Sequence, residues 1–162
     1  CTLRPKSEGG LFVGKENERK SILRLIAEYN PYLLDVEFNT IRKDKNLASY
    51  LKKSKCKLLI SWHDFKKTPN ESQLKLKYSK MRKFSKAVKI VTVAKNVSDT
   101  SRLLALYSIK SKNSLIAFCM GEKGRFSRIL CLHFGSPFTY VSLGKPIAPG
   151  QFSVDEIYSL SH

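Results

Sequence analysis

One lysine stands apart from the other basic residues of this sequence. Lys89 lies inside the apolar run Ala87-Val88-Lys89-Ile90-Val91-Thr92-Val93. In a parallel strand covered on both faces, a lysine is buried, and burial disfavours the ammonium. A neutral amine among apolar walls attacks a carbonyl and forms a Schiff base. The competing reading makes Lys89 one of many surface lysines whose stem carries the charge out to water. His63 ends the run Leu58-Leu59-Ile60-Ser61-Trp62-His63. That position suits a general acid/base working near neutral pH, and equally a hydrogen-bonded structural histidine at a strand end. Glu8, Asp35 and Glu37 are carboxylates able to orient or charge-stabilise it. Arg4 and Arg128 suit an anionic substrate, because guanidinium binds carboxylate in bidentate fashion. Taken singly, each is also readable as a solvated charge. Cys1, Cys56, Cys119 and Cys131 show no CxxC spacing, so neither a zinc site nor a redox pair is indicated, and reduced thiols are expected.

These residues need elements to hold them, and the sequence alternates strand-like and helix-like segments. Strands are expected at Tyr32 to Phe38, Lys57 to Trp62, Ala87 to Ala94, Ser114 to Met120 and Phe138 to Leu143, with the tail of another at Thr2-Leu3-Arg4. Helices are expected at Glu16 to Tyr29, with Ile22, Leu25, Ile26 and Tyr29 at helical spacing, and at Asn70 to Lys86, with Leu74, Tyr78, Met81 and Phe84. A weaker one covers Leu47 to Ser54. Ser98 or Asp99 is expected to cap a helix carrying Leu103, Leu104 and Tyr107. Arg125 to Phe134 ends at Gly135, and Ser153-Val154-Asp155-Glu156 reads as a capping box. The rhythm is that of βα units in a parallel α/β protein. No Gly-x-Gly-x-x-Gly or Walker loop follows any strand, which weakens a nucleotide-binding doubly wound sheet and leaves a (β/α) barrel. In both architectures chemistry sits at the carboxyl ends of the strands, where the residues above recur.

Composition bounds the rest. With 42% hydrophobic and 27% charged residues the chain is not disordered, and its 162 residues fit one domain. No apolar run is long enough for a membrane helix, and no signal sequence opens the chain. The net charge of +17 makes nucleic acid or an anionic membrane the first partner to weigh. The lysines, however, are spread over helices and connectors, for example Lys52, Lys53, Lys75, Lys77, Lys80 and Lys83, and no nucleic-acid motif accompanies them.

Five motifs in order resemble type I 3-dehydroquinate dehydratase. Thr2-Leu3-Arg4 through Glu8-Gly9-Gly10 is similar to that family's strand-two exit, and Ile60-Ser61-Trp62-His63-Asp64-Phe65 through Thr68-Pro69 to its histidine motif. Val88-Lys89-Ile90 resembles its lysine strand. Met120-Gly121 through Ser127-Arg128, and Ala148-Pro149-Gly150-Gln151, resemble its two substrate-binding loops. The resemblance implies a (β/α)8 TIM barrel of the class I aldolase type and a Schiff-base lyase of the shikimate pathway. It implies that residues 1–162 are one barrel domain, incomplete at its N-terminus, with strand 1, helix 1 and most of strand 2 absent from this chain. Lys89 would form the imine, His63 would be the general acid/base and Glu8 would orient it. Arg4, Arg128 and Gln151 would bind substrate, and Met120, Phe65 and Tyr140 would line the pocket. No metal or cofactor is implied. Ile147 stands where many relatives have serine, and Tyr140 where phenylalanine is usual.

The expected partner is therefore the anion 3-dehydroquinate, with no nucleic acid and no membrane, in a cytoplasmic homodimer. Three alternatives remain: another lysine-imine barrel aldolase, a basic nucleic-acid-binding domain, and a non-functional fragment.

Overall fold

The computed structural model describes residues 1–160. Its strands are β1 (Leu34–Glu37), β2 (Leu58–Asp64), β3 (Ala87–Val93) and β4 (Ser114–Met120), in one sheet in that order. Between and around them lie α1 (Glu16–Glu28), α2 (Phe38–Ile41), α3 (Lys45–Lys53), α4 (Glu71–Met81), α5 (Val97–Leu104), α6 (Ser127–His133) and α7 (Val154–Leu160). The alternation expected from the sequence is present, and the chain divides into two compact units.

The first unit comprises Cys1–Trp62 and Ser79–Lys89. β1 and β2 pair in parallel, with Leu34 opposite Leu58 and Glu37 opposite Ser61. All four residues of β1 are buried, Asp35 and Glu37 included. Side chains two apart on a strand share a face, so both carboxylates project to one side and Leu34 and Val36 to the other. α1 packs on α3, whose first turn is capped by Asp44 accepting from the Leu47 N–H at 2.9 Å. The buried stripe of α1 is not the one the apolar residues suggest. It runs through Arg19, Leu23 and Ala27, whereas Leu25 is 52% and Tyr29 82% exposed. Spacing of four residues sets the stripe, and Arg19 can belong to it because acidic partners match its charge.

The expected strand tail at Thr2-Leu3-Arg4 is a single parallel bridge, Thr2 to Asp35. The chain then turns through Lys6–Glu8, and Gly9 ends that turn in the left-handed region (φ 79°). Gly10 follows for a different reason. A Cβ there would lie 1.9 Å from the Arg4 carbonyl oxygen, so only glycine allows the chain to fold back across Arg4.

The second unit comprises His63–Tyr78 and the residues from Ile90 onward. α5 and α6 pack on β4, burying Leu103, Ile116, Phe118 and Cys131. The cap of α5 is Asn96, not Ser98 or Asp99: its side chain accepts from the Asp99 N–H at 2.9 Å, and Asp99 accepts in return from the Lys95 N–H. The helix thus starts two or three residues before the expected point. Residues 138–143 form no strand among the described residues. Ser142 makes one isolated bridge with Ser153, and the aromatic residues before it are held by ring contacts, Phe138 to Tyr140 at 5.6 Å. The expected capping box forms in full, with the Ser153 N–H donating to Glu156 Oε2 (2.9 Å) and the Glu156 N–H to Ser153 Oγ (3.1 Å). Gly135 closes α6 with φ 99°. Cys56, Cys119 and Cys131 are buried free thiols. No helix of the described residues is long and apolar enough to cross a membrane.

Candidate active site

The first unit gathers its charges around Lys89. That side chain is buried, 7% exposed, which excludes the surface-lysine reading. Its Nζ lies 3.1 Å from Asp35 Oδ2. The same carboxylate oxygen receives Arg4 Nη2 at 2.7 Å, and the Ser61 hydroxyl donates to Oδ1. Arg4 also reaches Ser61 Oγ (3.2 Å) and Glu37 Oε1 (3.3 Å). Burial pulls the Lys89 amine below the ordinary lysine range, with Asp35 opposing and Arg4 assisting. Burial also raises the Asp35 carboxyl, but the two cations outweigh it and hold the group below its usual range. Lys89 is thus an amine biased toward its neutral form beside a firmly ionised carboxylate.

Glu8 is buried at the end of the N-terminal turn, and its Oε1 accepts from Asn39 Nδ2 at 2.9 Å. Asn39 is in turn engaged by Arg42 Nε at 3.2 Å. Neither supporting residue is visible as such in the sequence. Arg19 is the larger omission. It is fully buried, yet an arginine inside a helix of mixed charge reads as a solvated residue. The available signal was its place four and eight residues before Leu23 and Ala27.

The second unit carries His63, Phe65, Met120, Arg128, Tyr140 and Gln151. His63 and Phe65 stack with ring centroids 5.8 Å apart. The loop beyond them is built locally: Asp64 Oδ1 accepts from the N–H groups of Lys66 (2.9 Å) and Lys67 (3.1 Å), and the Thr68 hydroxyl donates to the Val93 carbonyl at 2.9 Å. Met120 and Gln151 are buried, and Phe65 is 47% exposed. Arg128 is 3% exposed and lies 4.5 Å over the Phe118 ring, which contacts Tyr140. Its Nη2 donates to the Pro149 carbonyl at 3.4 Å, and no hydrogen-bond partner for its buried Nε exists among the described residues. Burial lowers its pKa, but a guanidinium remains a cation at neutral pH. A buried cation without a carboxylate is a place for an anionic group.

Gln151 organises the loop before it. Its Oε1 accepts from the N–H groups of Ile147 (3.0 Å) and Ala148 (3.2 Å), which leaves its amide N–H₂ as the outward donor. Pro149 accepts from the Gly121 N–H at 3.3 Å. A Cβ on Gly150, at φ 71°, would meet the Gly121 carbonyl at 2.7 Å. The Met120-Gly121 and Ala148-Pro149-Gly150-Gln151 motifs are therefore joined backbone to backbone. No cluster of metal-ligating side chains occurs among the described residues.

A family model described as type I 3-dehydroquinase matches residues 1–162. The chain is 38% identical over 159 residues to a 3-dehydroquinate dehydratase of Pyrobaculum aerophilum, covering 98% of this chain and 51% of that protein. It is 36% identical over 163 residues to a 3-dehydroquinate dehydratase of Dehalococcoides mccartyi strain CBDB1, covering 99% of this chain and 72% of the relative. The chain thus spans only about half the length of the Pyrobaculum protein. Among solved structures it is similar to a type I 3-dehydroquinate dehydratase from Clostridium difficile, with TM-score 0.86 and 26% identity, covering 98% of this chain and 65% of the other. A 3-dehydroquinate dehydratase from Aquifex aeolicus gives TM-score 0.79 and 29% identity over 98% and 70%. The fold class is therefore that of these α/β barrels.

Proposed function

Because the chain belongs to the type I 3-dehydroquinase family, we propose that its activity is the dehydration of 3-dehydroquinate to 3-dehydroshikimate through a Schiff base on Lys89. The observation that carries this reading is the Lys89 amine, buried in an apolar strand and biased toward the neutral, nucleophilic form. In this reading Lys89 attacks the C3 ketone and water leaves as the iminium forms. The iminium withdraws electrons and acidifies the C2 proton. His63 removes that proton to give an enamine. The enamine expels the C1 hydroxyl, which His63 protonates, so that it departs as water. Hydrolysis of the remaining imine frees 3-dehydroshikimate and restores the lysine. The lysine itself supplies the electron sink.

Glu8 is assigned the orientation of His63. Arg128 is assigned the substrate carboxylate, supported by its buried Nε edge. Arg4 and Gln151 are assigned polar contacts to substrate, and Met120, Phe65 and Tyr140 the pocket wall. Ile147 leaves one hydroxyl fewer on the loop than a serine there would. A cytoplasmic homodimer, with residues 1–162 forming part of one barrel domain, completes the proposal.

The test is appearance of the conjugated enone of 3-dehydroshikimate, followed by ultraviolet absorbance. Wild-type protein should turn over 3-dehydroquinate, Lys89→Ala should be inactive, and Arg128→Met should raise KM more than it lowers kcat. Failure of folded, whole wild-type protein to form the enone sinks the proposal.

A further inference from the structure

The Lys89 cluster extends away from the amine into the body of the first unit. Arg19 of α1 is 0% exposed and so is Glu37. Arg19 Nη1 donates to Glu37 Oε2 (2.7 Å) and to the Leu3 carbonyl (2.9 Å). Its Nη2 donates to Glu16 Oε1 (2.8 Å) and the Thr40 hydroxyl (2.5 Å), and its Nε to Glu16 Oε2 (2.9 Å). A guanidinium has five N–H donors, and all five are used. Glu37 lies in turn 3.3 Å from Arg4, which shares Asp35 Oδ2 with Lys89. A continuous line of ion pairs therefore runs Arg19, Glu37, Arg4, Asp35, Lys89.

The charges on this line alternate, and their sum decides the state of its last member. Arg19 also holds Glu16, but that carboxylate is half-exposed and screened by water. Among the buried members Arg19 and Arg4 are matched by Glu37 and Asp35, so the buried cluster is neutral when Lys89 is neutral. An ammonium there adds one uncompensated positive charge in a buried setting, which is unfavourable. Remove Arg19 and the sum is reversed: the cluster then carries an excess negative charge that an ammonium on Lys89 would cancel. Burial holds the Glu37 carboxyl above its usual range, with Arg19 and Arg4 opposing, so loss of Arg19 removes one of the two cations that favour its charged form. The groups around Lys89 in this unit include Asp35 and Glu37 from β1, Arg4 from the N-terminal segment and the Ser61 hydroxyl from β2. His63 of β2 is left unchanged in every variant below.

We propose that Arg19, remote from the reacting atoms, is a positioning residue that favours the uncharged, nucleophilic form of Lys89 by balancing Glu37 through Arg4. The proposal rests on the Schiff-base reading of Lys89. It assigns a functional reason to a buried arginine whose five bonds alone could be taken as scaffolding.

The readout is the protonation midpoint of Lys89 in the whole protein, followed by NMR titration of its Cε signal and assigned by loss of that signal in Lys89→Met. In Arg19→Met the midpoint should move upward by roughly one pH unit, the size of effect expected from a nearby unpaired charge. Arg19→Lys keeps the charge and loses donors, so its midpoint should stay near wild type even where its thermal stability falls. Glu37→Gln removes the opposing charge and should move the midpoint downward. Should Arg19→Met fail to fold, Arg19→Gln, which loses the charge and keeps an amide donor, takes its place with the same upward shift expected. A wild-type midpoint in folded Arg19→Met, or no downward movement in Glu37→Gln, overturns the proposal and leaves Arg19 a structural residue. Imine trapping with 3-dehydroquinate is measured alongside. Its absence in wild type would count against the dehydratase reading, while the NMR midpoint still decides the role of Arg19.

Discussion

Lys89 and Arg128 are both buried cations, and they solve the problem of burial in opposite ways. Lys89 has Asp35 at 3.1 Å and a lowered pKa, while Arg128 keeps its charge over an aromatic ring with no carboxylate partner among the described residues. The first arrangement suits a nucleophile and the second an anion receptor. The consequence for stability has a definite sign. Because the folded-state pKa of Lys89 lies below its unfolded value, the unfolded chain binds more protons between the two. Stability should therefore rise with pH from the folded midpoint of Lys89 up to about 10.4, the unfolded lysine value. Lys89→Met should abolish that slope, read from denaturant midpoints at successive pH values. Asp35→Ala should cost about 3–5 kcal/mol in the same assay, because it strips the shared counter-charge from Arg4 and Lys89 together. His63→Ala should still form the imine and lose most of the dehydration rate; normal turnover would refute its acid/base role. At this scale the sequence was informative where a residue broke its own pattern. Lys89 inside an apolar strand is such a break. Arg19 is not, because a helix tolerates arginine anywhere on its surface and only the three-dimensional stripe reveals it.

At the scale of elements, the strands and most helices were legible because each is a short periodic segment with local start or stop signals. Ser153 and Glu156 announce α7, and their reciprocal bonds are present. Ser153→Ala should speed amide exchange across residues 154–160, with a local loss of about 1 kcal/mol. What failed were segments whose state depends on distant partners. Residues 138–143 have strand composition, yet a strand needs a neighbouring ladder, and among the described residues only the Ser142–Ser153 bridge supplies one. The buried face of α1 is hidden from the sequence for the same reason, since Leu25 is as apolar as Leu23 and yet 52% exposed. The Pro149–Gly150 loop shows how an element of the proposed site depends on a single glycine. Gly150→Ala at φ 71°, with 2.7 Å to the Gly121 carbonyl, should displace the loop and with it Gln151. The expected outcome is a several-fold rise in KM with the imine yield at saturating substrate preserved.

For the whole molecule, the charge of +17 first suggests nucleic acid. In the dehydratase reading this charge acts at long range, drawing an anionic substrate toward the molecule. The dehydratase reading then predicts that kcat/KM falls with added salt while kcat changes little. Salt-sensitive retention on duplex DNA without any imine would favour the binding-domain alternative. The central claim nevertheless concerns one bond, between the Lys89 nitrogen and a substrate carbon. It is tested most directly by borohydride reduction of the folded, whole protein with 3-dehydroquinate, followed by peptide mass mapping. The account predicts a stable adduct on the peptide containing Lys89, absent in Lys89→Ala and retained in His63→Ala. No adduct, or an adduct on another lysine, would contradict it.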